Sequence, residues 1–247
     1  MKISIVMLAY IVNDELYELT RNTLDSFITS EKIGDTELII IDNASQIGAD
    51  QLLNNCDIYI RNRINLGYPK AVNQGVKLAT GDFIAIANND IRVSPNWALV
   101  VEEAFRLMPK LGSLHFKMID YNAPYNLGTG VWDKGRELWC HGSFFVWRRK
   151  AMEQLEGPMD EGYCLGGYDD YDWQLRMHQK GWKIAYTNAA GFQHKDSSTL
   201  SKLDQTERSE RDIKNREYFK KKHSEYPDVI WKQKYPQQFN RGWKPFP

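Results

Sequence analysis

Apolar and polar positions alternate in two rhythms over the first ninety residues. Residues 2–9 (KISIVMLA) are almost continuously apolar, the pattern of a strand buried on both faces. Leu16, Leu19, Leu24, Phe27 and Ile28 then recur at helical spacing. Residues 37–41 predict a second strand, ending in the polar turn Asp42-Asn43-Ala44-Ser45. A short helix over 49–55 and a strand over 58–61 follow. Pro69 sits where the first turn of a helix tolerates it, and Gly81 where that helix would be capped. Residues 83–87 (FIAIA) predict a fourth strand running into Asn88-Asn89-Asp90, and Ser94-Pro95 opens a helix through about Met108.

Strands alternating with helices imply right-handed crossovers and a mainly parallel α/β sheet flanked by helices. Ligands of such sheets bind beyond the carboxyl ends of the strands, where Asp42 and Asn88-Asn89-Asp90 both fall. The second half is more mixed. Strands are predicted over 111–118 and 138–147, a loop over 157–167, a helix over 169–180 stopped by Gly181, and a last strand over 183–186 leading to His194. From Gln205 the chain is helical and charged, and it ends in a tail rich in Pro and aromatic residues.

The chain has 247 residues, enough for one large domain or one and a half. Apolar residues make up 42% and charged residues 26%, which excludes disordered, collagen-like and coiled-coil classes. Lys+Arg and Asp+Glu both total 32, so overall charge points to neither a nucleic-acid nor an acidic partner. The longest apolar run, Ile5 to Val12, has eight residues, against roughly 20 for a membrane span. It has no small-residue cleavage site and leads into Asp14 and Glu15, so it reads as a strand and not a signal peptide. Cys56, Cys140 and Cys164 are odd in number and far apart, which fits a reducing, cytoplasmic compartment, with peripheral membrane association as an extension.

The turn after the first strand, Tyr10-Ile11-Val12-Asn13-Asp14, has no glycine, so neither a dinucleotide fingerprint nor a P-loop forms there. No G-x-S-x-G elbow exists. What remains is a set of carboxylates with one imidazole: Asp90, the run Asp169-Asp170-Tyr171-Asp172, and His194. Carboxylate oxygen with imidazole suits Mn2+ or Mg2+, with diphosphate oxygens and water filling the other positions. Such an ion can neutralise a departing nucleoside diphosphate.

The order of motifs resembles glycosyltransferase family 2, nucleotide-sugar-dependent enzymes of GT-A fold. The matching segments are Asp42-Asn43-Ala44-Ser45, Asn65-Leu66-Gly67 through Asn73-Gln74-Gly75, Ala87-Asn88-Asn89-Asp90, and Gly142 through Arg149. Asp160-Glu161, Asp169 through Arg176, Gly181-Trp182-Lys183-Ile184, and His194 before Ser197-Ser198-Thr199 complete the series. The resemblance covers residues 1–199 as a catalytic domain and leaves 200–247 as a C-terminal helix and tail, set on that domain or on a partner.

The resemblance implies a role for each position. Asp42 would contact the nucleoside, with Ala9 and Tyr10 beside it. Asn65, Gly67, Asn73, Asn88 and Asn89 fall in donor-binding segments, as do His141, Gly142 and Asp169. Asp90 matches the last carboxylate of a D-x-D metal motif and His194 its distal ligand, whereas Asp170 matches the general base on the acceptor hydroxyl. The implied reaction is inverting transfer of a sugar from a nucleotide diphosphate-sugar to a hydroxyl-bearing acceptor, a saccharide or lipid-linked glycan above others. Three positions depart from the pattern: Asn88 replaces the first Asp of D-x-D, Asp169 a usual Glu, and Ile11 a frequent Asn.

Ordinary structural explanations exist beside these. Asn and Asp favour strand-end turns, Asp169 and Asp170 suit a helix N-terminus, and Asp172 with Arg176 reads as an i,i+4 pair. For Asp170 the macrodipole also favours the ionised form that a base requires. At most one of Trp132, Trp139 and Trp147 is expected as a sugar platform, the others being structural bulk. The basic run Lys214, Arg216, Lys220, Lys221 and Lys222 reads first as a solvated helix face. It keeps open, without favouring it, a modified base in DNA as acceptor. A non-catalytic nucleotide-sugar binding module is the other alternative, because Asn88 weakens the metal site.

Overall fold

The apolar N-terminal segment forms β1 (Lys2–Ala9), which pairs in parallel with β2 (Asp35–Asp42) on one side and β4 (Phe83–Asn88) on the other. The computed structural model describes residues 1–30, 35–48, 56–133, 142–163, 165–195 and 205–224. The helix expected over 49–55, the first part of the strand expected over 138–147, and the Pro- and aromatic-rich tail lie outside them.

Strand periodicity divides β1 between two cores. Ile3, Ile5 and Met7 face Leu16, Leu24 and Phe27 of helix α1 (Asp14–Thr29) and Trp97, Val101 and Phe105 of α3 (Trp97–Leu107). Val6 and Leu8 face the opposite layer, with Ala71, Val72 and Val76 of α2 (Tyr68–Leu78) and Trp173 and Met177 of α5 (Asp169–Gln179). Helix α1 begins where the Asn13 side chain accepts the Leu16 N–H, and Asp14 and Glu15 complement its dipole. Ile28, predicted to face inward, is exposed.

Helix α2 lies unusually close to β1. A Cβ added to Gly75 would fall 2.2 Å from Val6 Cγ1, in the middle of a packed layer. Gly75→Ala is therefore expected to cost about 1–3 kcal/mol through overpacking, read as a lower denaturant midpoint with unchanged m. Gly81 is not the helix cap that the sequence suggested. Helix α2 ends at Leu78 with Ala79 as cap, and Gly81 instead permits close approach to β1, where a Cβ would lie 2.7 Å from Ser4 N.

Among the described residues the sheet runs β3-β2-β1-β4-β8-β6-β9-β5, with β7 added on β9. Here β3 is Ile58–Arg61, β5 Ile91–Val93, β6 Leu111–Asp120, β7 Val131–Asp133, β8 Phe144–Arg148 and β9 Lys183–His194. The first four strands in this order are parallel, as the alternating pattern predicts. Beyond them the sheet is mixed: β8 is antiparallel to both β4 and β6, β6 and β9 are parallel, and β5 and β7 run against β9. The difference arises because the regular strand–helix alternation stops after α3, and returning strands that lack a crossover helix pair antiparallel.

Two short strands, β5 and β7, have no clear sequence signal, and β9 is far longer than the stretch predicted over 183–186. Its register against β6 shifts between Phe116 and Lys117, so Asn188–Ala190 bulge out before pairing resumes at Gly191. His194 is thus the last residue of β9, opposite Ile91 of β5. After β8 come the short helix α4 (Arg149–Met152) and a 3-10 turn over Glu153–Leu155.

The last described helix, α6 (Gln205–Lys222), lies against α5. Phe219 joins Tyr163 and Leu175 in a small apolar cluster, and His223 and Lys222 reach the buried Asp172 at 2.8 and 2.7 Å. The domain boundary expected at residue 199 falls in a stretch outside the described residues. No helix among the described residues is long and apolar enough to cross a membrane.

Candidate active site

Strands β2 and β4 flank β1 and end at the same rim of the sheet, where they carry Asp42 and Asn88–Asp90. Asp42 is fully buried. Its Oδ1 accepts the Ser45 N–H at 2.7 Å, and its Oδ2 accepts the Tyr59 hydroxyl at 2.7 Å with Arg61 Nε at 3.5 Å. Its carboxylate therefore builds the turn first. Tyr59 and Arg61, which sequence reasoning passed over, are the side chains that hold this carboxylate. Ala9 supplies the carbonyl that accepts the Asn43 N–H at 2.7 Å, and Tyr10 is half-buried next to it.

Asn43 is a hub for the following loop. Its Nδ2 donates to Asn65 Oδ1 at 2.7 Å, and its Oδ1 accepts from Leu66 N at 2.9 Å and Asn62 Nδ2 at 3.2 Å. Asn65 also accepts the Gly67 N–H, so Asn65 and Gly67 frame the loop, although Asn65 remains exposed. Gly67 has a φ of +83°, and a Cβ there would lie 3.1 Å from Leu165 Cα. Asn73, expected at the donor, is buried and holds the backbone of Met159 and the Glu161 carboxylate. Asn89 is also turned away from the rim: its Nδ2 donates to Thr20 Oγ1 of α1 at 2.7 Å. Both readings change because their amides are used inside the fold, a long-range pairing that the sequence does not display.

At the same rim Asp90 Oδ1 and His194 Nε2 stand 3.3 Å apart, with side chains 6% and 9% exposed. The pairing of β5 with β9 creates this contact. Ser143 Oγ lies 3.3 Å from the same imidazole nitrogen, and the Ser143 carbonyl accepts the Asn88 N–H at 2.9 Å. The other imidazole nitrogen, His194 Nδ1, is buried and has no hydrogen-bond partner. Ser143 is one residue from Gly142, whose carbonyl accepts the Tyr68 hydroxyl at 2.6 Å. A Cβ on Gly142 would lie 3.8 Å from Asp170 Oδ2. Gly142 and Ser143 thus join the Asp90–His194 pair to Asp170 along one edge.

Asp170 sits in the first turn of α5, half-buried, with Oδ1 accepting the Tyr171 N–H at 2.9 Å. The macrodipole argument expects a readily ionised group. Burial first, and the Asp169 carboxylate second, outweigh it and push Asp170 up to about 7. Asp169 is buried and raised above the usual carboxylate range by burial, with its Oδ1 held by the Gly167 N–H. Asp172 behaves in the opposite way. Although burial works against it, bonds to His223 and Lys222 and the Arg176 charge hold it down at about 2. Arg176 Nε meets Asp172 Oδ2 at 2.7 Å, the pairing that the i,i+4 spacing predicts.

Trp147 is core and not a sugar platform. It is fully buried, with its ring 5.1 Å from that of Trp173 in an edge contact. His141, Trp139, and the Trp132 side chain lie outside what the structure describes. Among the described residues no three His, Cys, Asp or Glu groups gather to hold a metal ion. Asp90 and His194 supply one oxygen and one nitrogen, a donor set that fits Mn2+ or Mg2+ when diphosphate and water fill the other positions.

Residues 4–156 match the sequence pattern described as glycosyl transferase family 2. This chain belongs to that family. A second pattern, glycosyltransferase-like family 2, matches residues 121–212 and so takes in Asp170 and His194. Glycosyl transfer is the reaction class of the protein. No curated protein matches the transferase. Among solved structures, it is similar to S. aureus TarS 1–349, with 12% identity over 96% of this chain and 77% of that one, at a TM-score of 0.63. TarS 1–349 in complex with UDP-GlcNAc matches at 13% identity over 83% and 62% of the two chains, TM-score 0.65. GalNAc-T7 with UDP, GalNAc and Mn2+ matches at 15% identity, TM-score 0.65, over 78% of this chain but only 44% of that one. The transferase therefore has the GT-A fold of these enzymes, an α/β sheet flanked by helices.

Proposed function

We propose that the transferase moves a sugar from a nucleotide diphosphate-sugar to a hydroxyl of a saccharide or lipid-linked glycan, with inversion at the anomeric carbon. The observation that carries this reading is the continuity of one rim: Asp170 faces Gly142, and the adjoining Ser143 touches the His194 that meets Asp90. A base and a diphosphate-binding edge on opposite sides of one strand start suit a single in-line displacement. Asp170 takes the proton of the acceptor hydroxyl as its oxygen attacks the anomeric carbon, and the bond from that carbon to the diphosphate oxygen breaks. The nucleoside sits against the Asp42 turn beside Tyr59 and Arg61. Asp90 and His194 would hold a Mn2+ or Mg2+, which supplies charge neutralisation for the leaving diphosphate. That TarS is solved with UDP-GlcNAc, and GalNAc-T7 with UDP and Mn2+, supports this choice of donor and ion. The cysteine usage supports a cytoplasmic setting.

A DNA acceptor gains no support from the C-terminal run, because Lys222 is paired with Asp160 and Asp172 and Lys220 with Glu217. The direct test is a thermal-shift titration with UDP, with and without Mn2+. UDP raises the melting midpoint with the logarithm of its concentration over its Kd. The expected shift depends on Mn2+ in the parent and loses that dependence in Asp90→Ala. An equal shift with and without the ion in both proteins would remove Asp90 from the metal role.

A further inference from the structure

Four consecutive residues ahead of α5 have left-handed backbone: Leu165 (φ 54°), Gly166 (φ 100°), Gly167 (φ 98°) and Tyr168 (φ 68°). For Leu and Tyr this conformation is strained, and such strain persists only where neighbouring structure imposes it. That structure comes from two sides: the start of α2, where Gly67 and Tyr68 pack on Leu165 and Gly166, and α6. Among the described side chains of α6 the buried positions are Arg211, Asn215 and Phe219, and His223 just past its end continues an i,i+4 stripe in which three of four residues are polar. A stripe of that composition docks through specific bonds more than through apolar area.

Each position of the stripe meets a different part of the segment that carries Asp170. Asn215 Nδ2 donates to the Gly166 carbonyl at 3.0 Å. Asn215 Nδ2 and Asp212 Oδ1 both lie 3.8 Å from where a Gly167 Cβ would be. Arg211 is buried, bonded to Asp212, and close enough to lower the proton affinity of Asp169. His223 meets Asp172 one turn further along α5. Gly167 in turn donates to Asp169, so the bond that α6 makes to the glycine pair is passed directly to the acidic turn.

We propose that Asn215 and Arg211 of α6 are positioning residues for Asp170. Asn215 pins the left-handed run and so fixes where the Asp170 carboxylate points, and Arg211 sets the charge that the acidic pair experiences. Neither touches substrate. The inference rests on the reading of Asp170 as the base. Among the described residues, the charged groups that face Asp169 are Asp172 from α5 itself and Arg211 from α6, with Asp212 bonded to that arginine, and Asp170 faces Asp169.

The test compares full-length parent, Asn215→Leu, Arg211→Gln and Asp170→Asn in turnover of UDP-GlcNAc, UDP-glucose or GDP-mannose, whichever donor most raises the parent's melting midpoint. Misplacing the base by a fraction of an ångström predicts that Asn215→Leu lowers kcat about 10- to 100-fold while the donor KM stays put. Loss of a cation raises the proton affinity of the pair, so Arg211→Gln moves the acidic limb of kcat to higher pH by about one unit. A helix that only stabilised the fold would move neither quantity at a temperature where the variants remain folded. If Asn215→Leu does not fold, Asn215→Ser, which also loses the bond to the Gly166 carbonyl, takes its place with the same fall in kcat expected. Parent kcat and an unmoved limb in both variants, with Asp170→Asn inactive, overturn the positioning role and leave the base in place. Activity retained in Asp170→Asn, or no turnover of any donor by the parent, overturns the base and this inference with it.

Discussion

Asp170→Asn is expected to lower the rate of sugar transfer ~10²–10⁴-fold, the usual loss when a positioned base is removed. The fold should be undamaged, because the amide oxygen still accepts the Tyr171 N–H. The variant should also be somewhat more stable than the parent at neutral and alkaline pH. Burial and the Asp169 charge raise Asp170 to about 7, so the folded protein holds a proton that the unfolded chain releases near 4. Stability contributed by that proton is lost as pH rises through the window between them, and Asn escapes the loss. The activity of the parent has the opposite slope. Asp170 accepts a proton only when ionised, so kcat rises with pH through about 7. Initial rates across pH 5–9, beside melting curves for both proteins, check all three statements. Parent-like turnover by the Asn variant would assign the base elsewhere.

The largest stability effect is expected at Asp172. This carboxylate is fully buried and answers Arg176, Lys222 and His223 together. Asp172→Ala removes the counter-charge of Arg176 and one of the two carboxylates that meet Lys222, and should cost about 3 kcal/mol, the lower end for such unpairing because Lys222 keeps Asp160 and some contact with water. The loss would appear as a lower urea midpoint. The pH dependence has a defined sign. The folded value is depressed to about 2 against about 4 for an ordinary carboxylate, so the stabilisation is complete above 4 and disappears as pH falls from 4 toward 2. Acid unfolding of the parent should therefore steepen in that window, and Asp172→Ala should flatten it. Equal acid midpoints for the two proteins would contradict the assignment.

The parallel half of the fold was legible because each strand there is apolar on both faces and each crossover helix repeats at its own period. Asp42 and Asp90 were placed at the correct rim by that topology alone. The proximity of Asp90 to His194 was not legible, since it depends on β5, three residues long, pairing with a strand one hundred residues away. Nor were the amide networks. Nothing in the neighbourhood of Asn73 or Asn89 shows that one grips Met159 and the other Thr20. Tyr59 and Tyr68 escaped for the same reason, with the Tyr68 hydroxyl meeting a carbonyl 74 positions away. Local charge patterns fared better where both partners share a helix, as with Asp172 and Arg176, and worse where the partner came from α6.

The order of elements also bears on how the protein matures. Strand β9 closes the sheet at residue 194, whereas the brace on the acidic turn arrives only with residues 205–223. A nascent chain emerging from the ribosome therefore possesses every described strand before it possesses the helix that braces the left-handed turn. Proteolytic trimming or a premature stop ahead of that helix would leave the described strands in place, with the acidic turn held by α2 but not by α6.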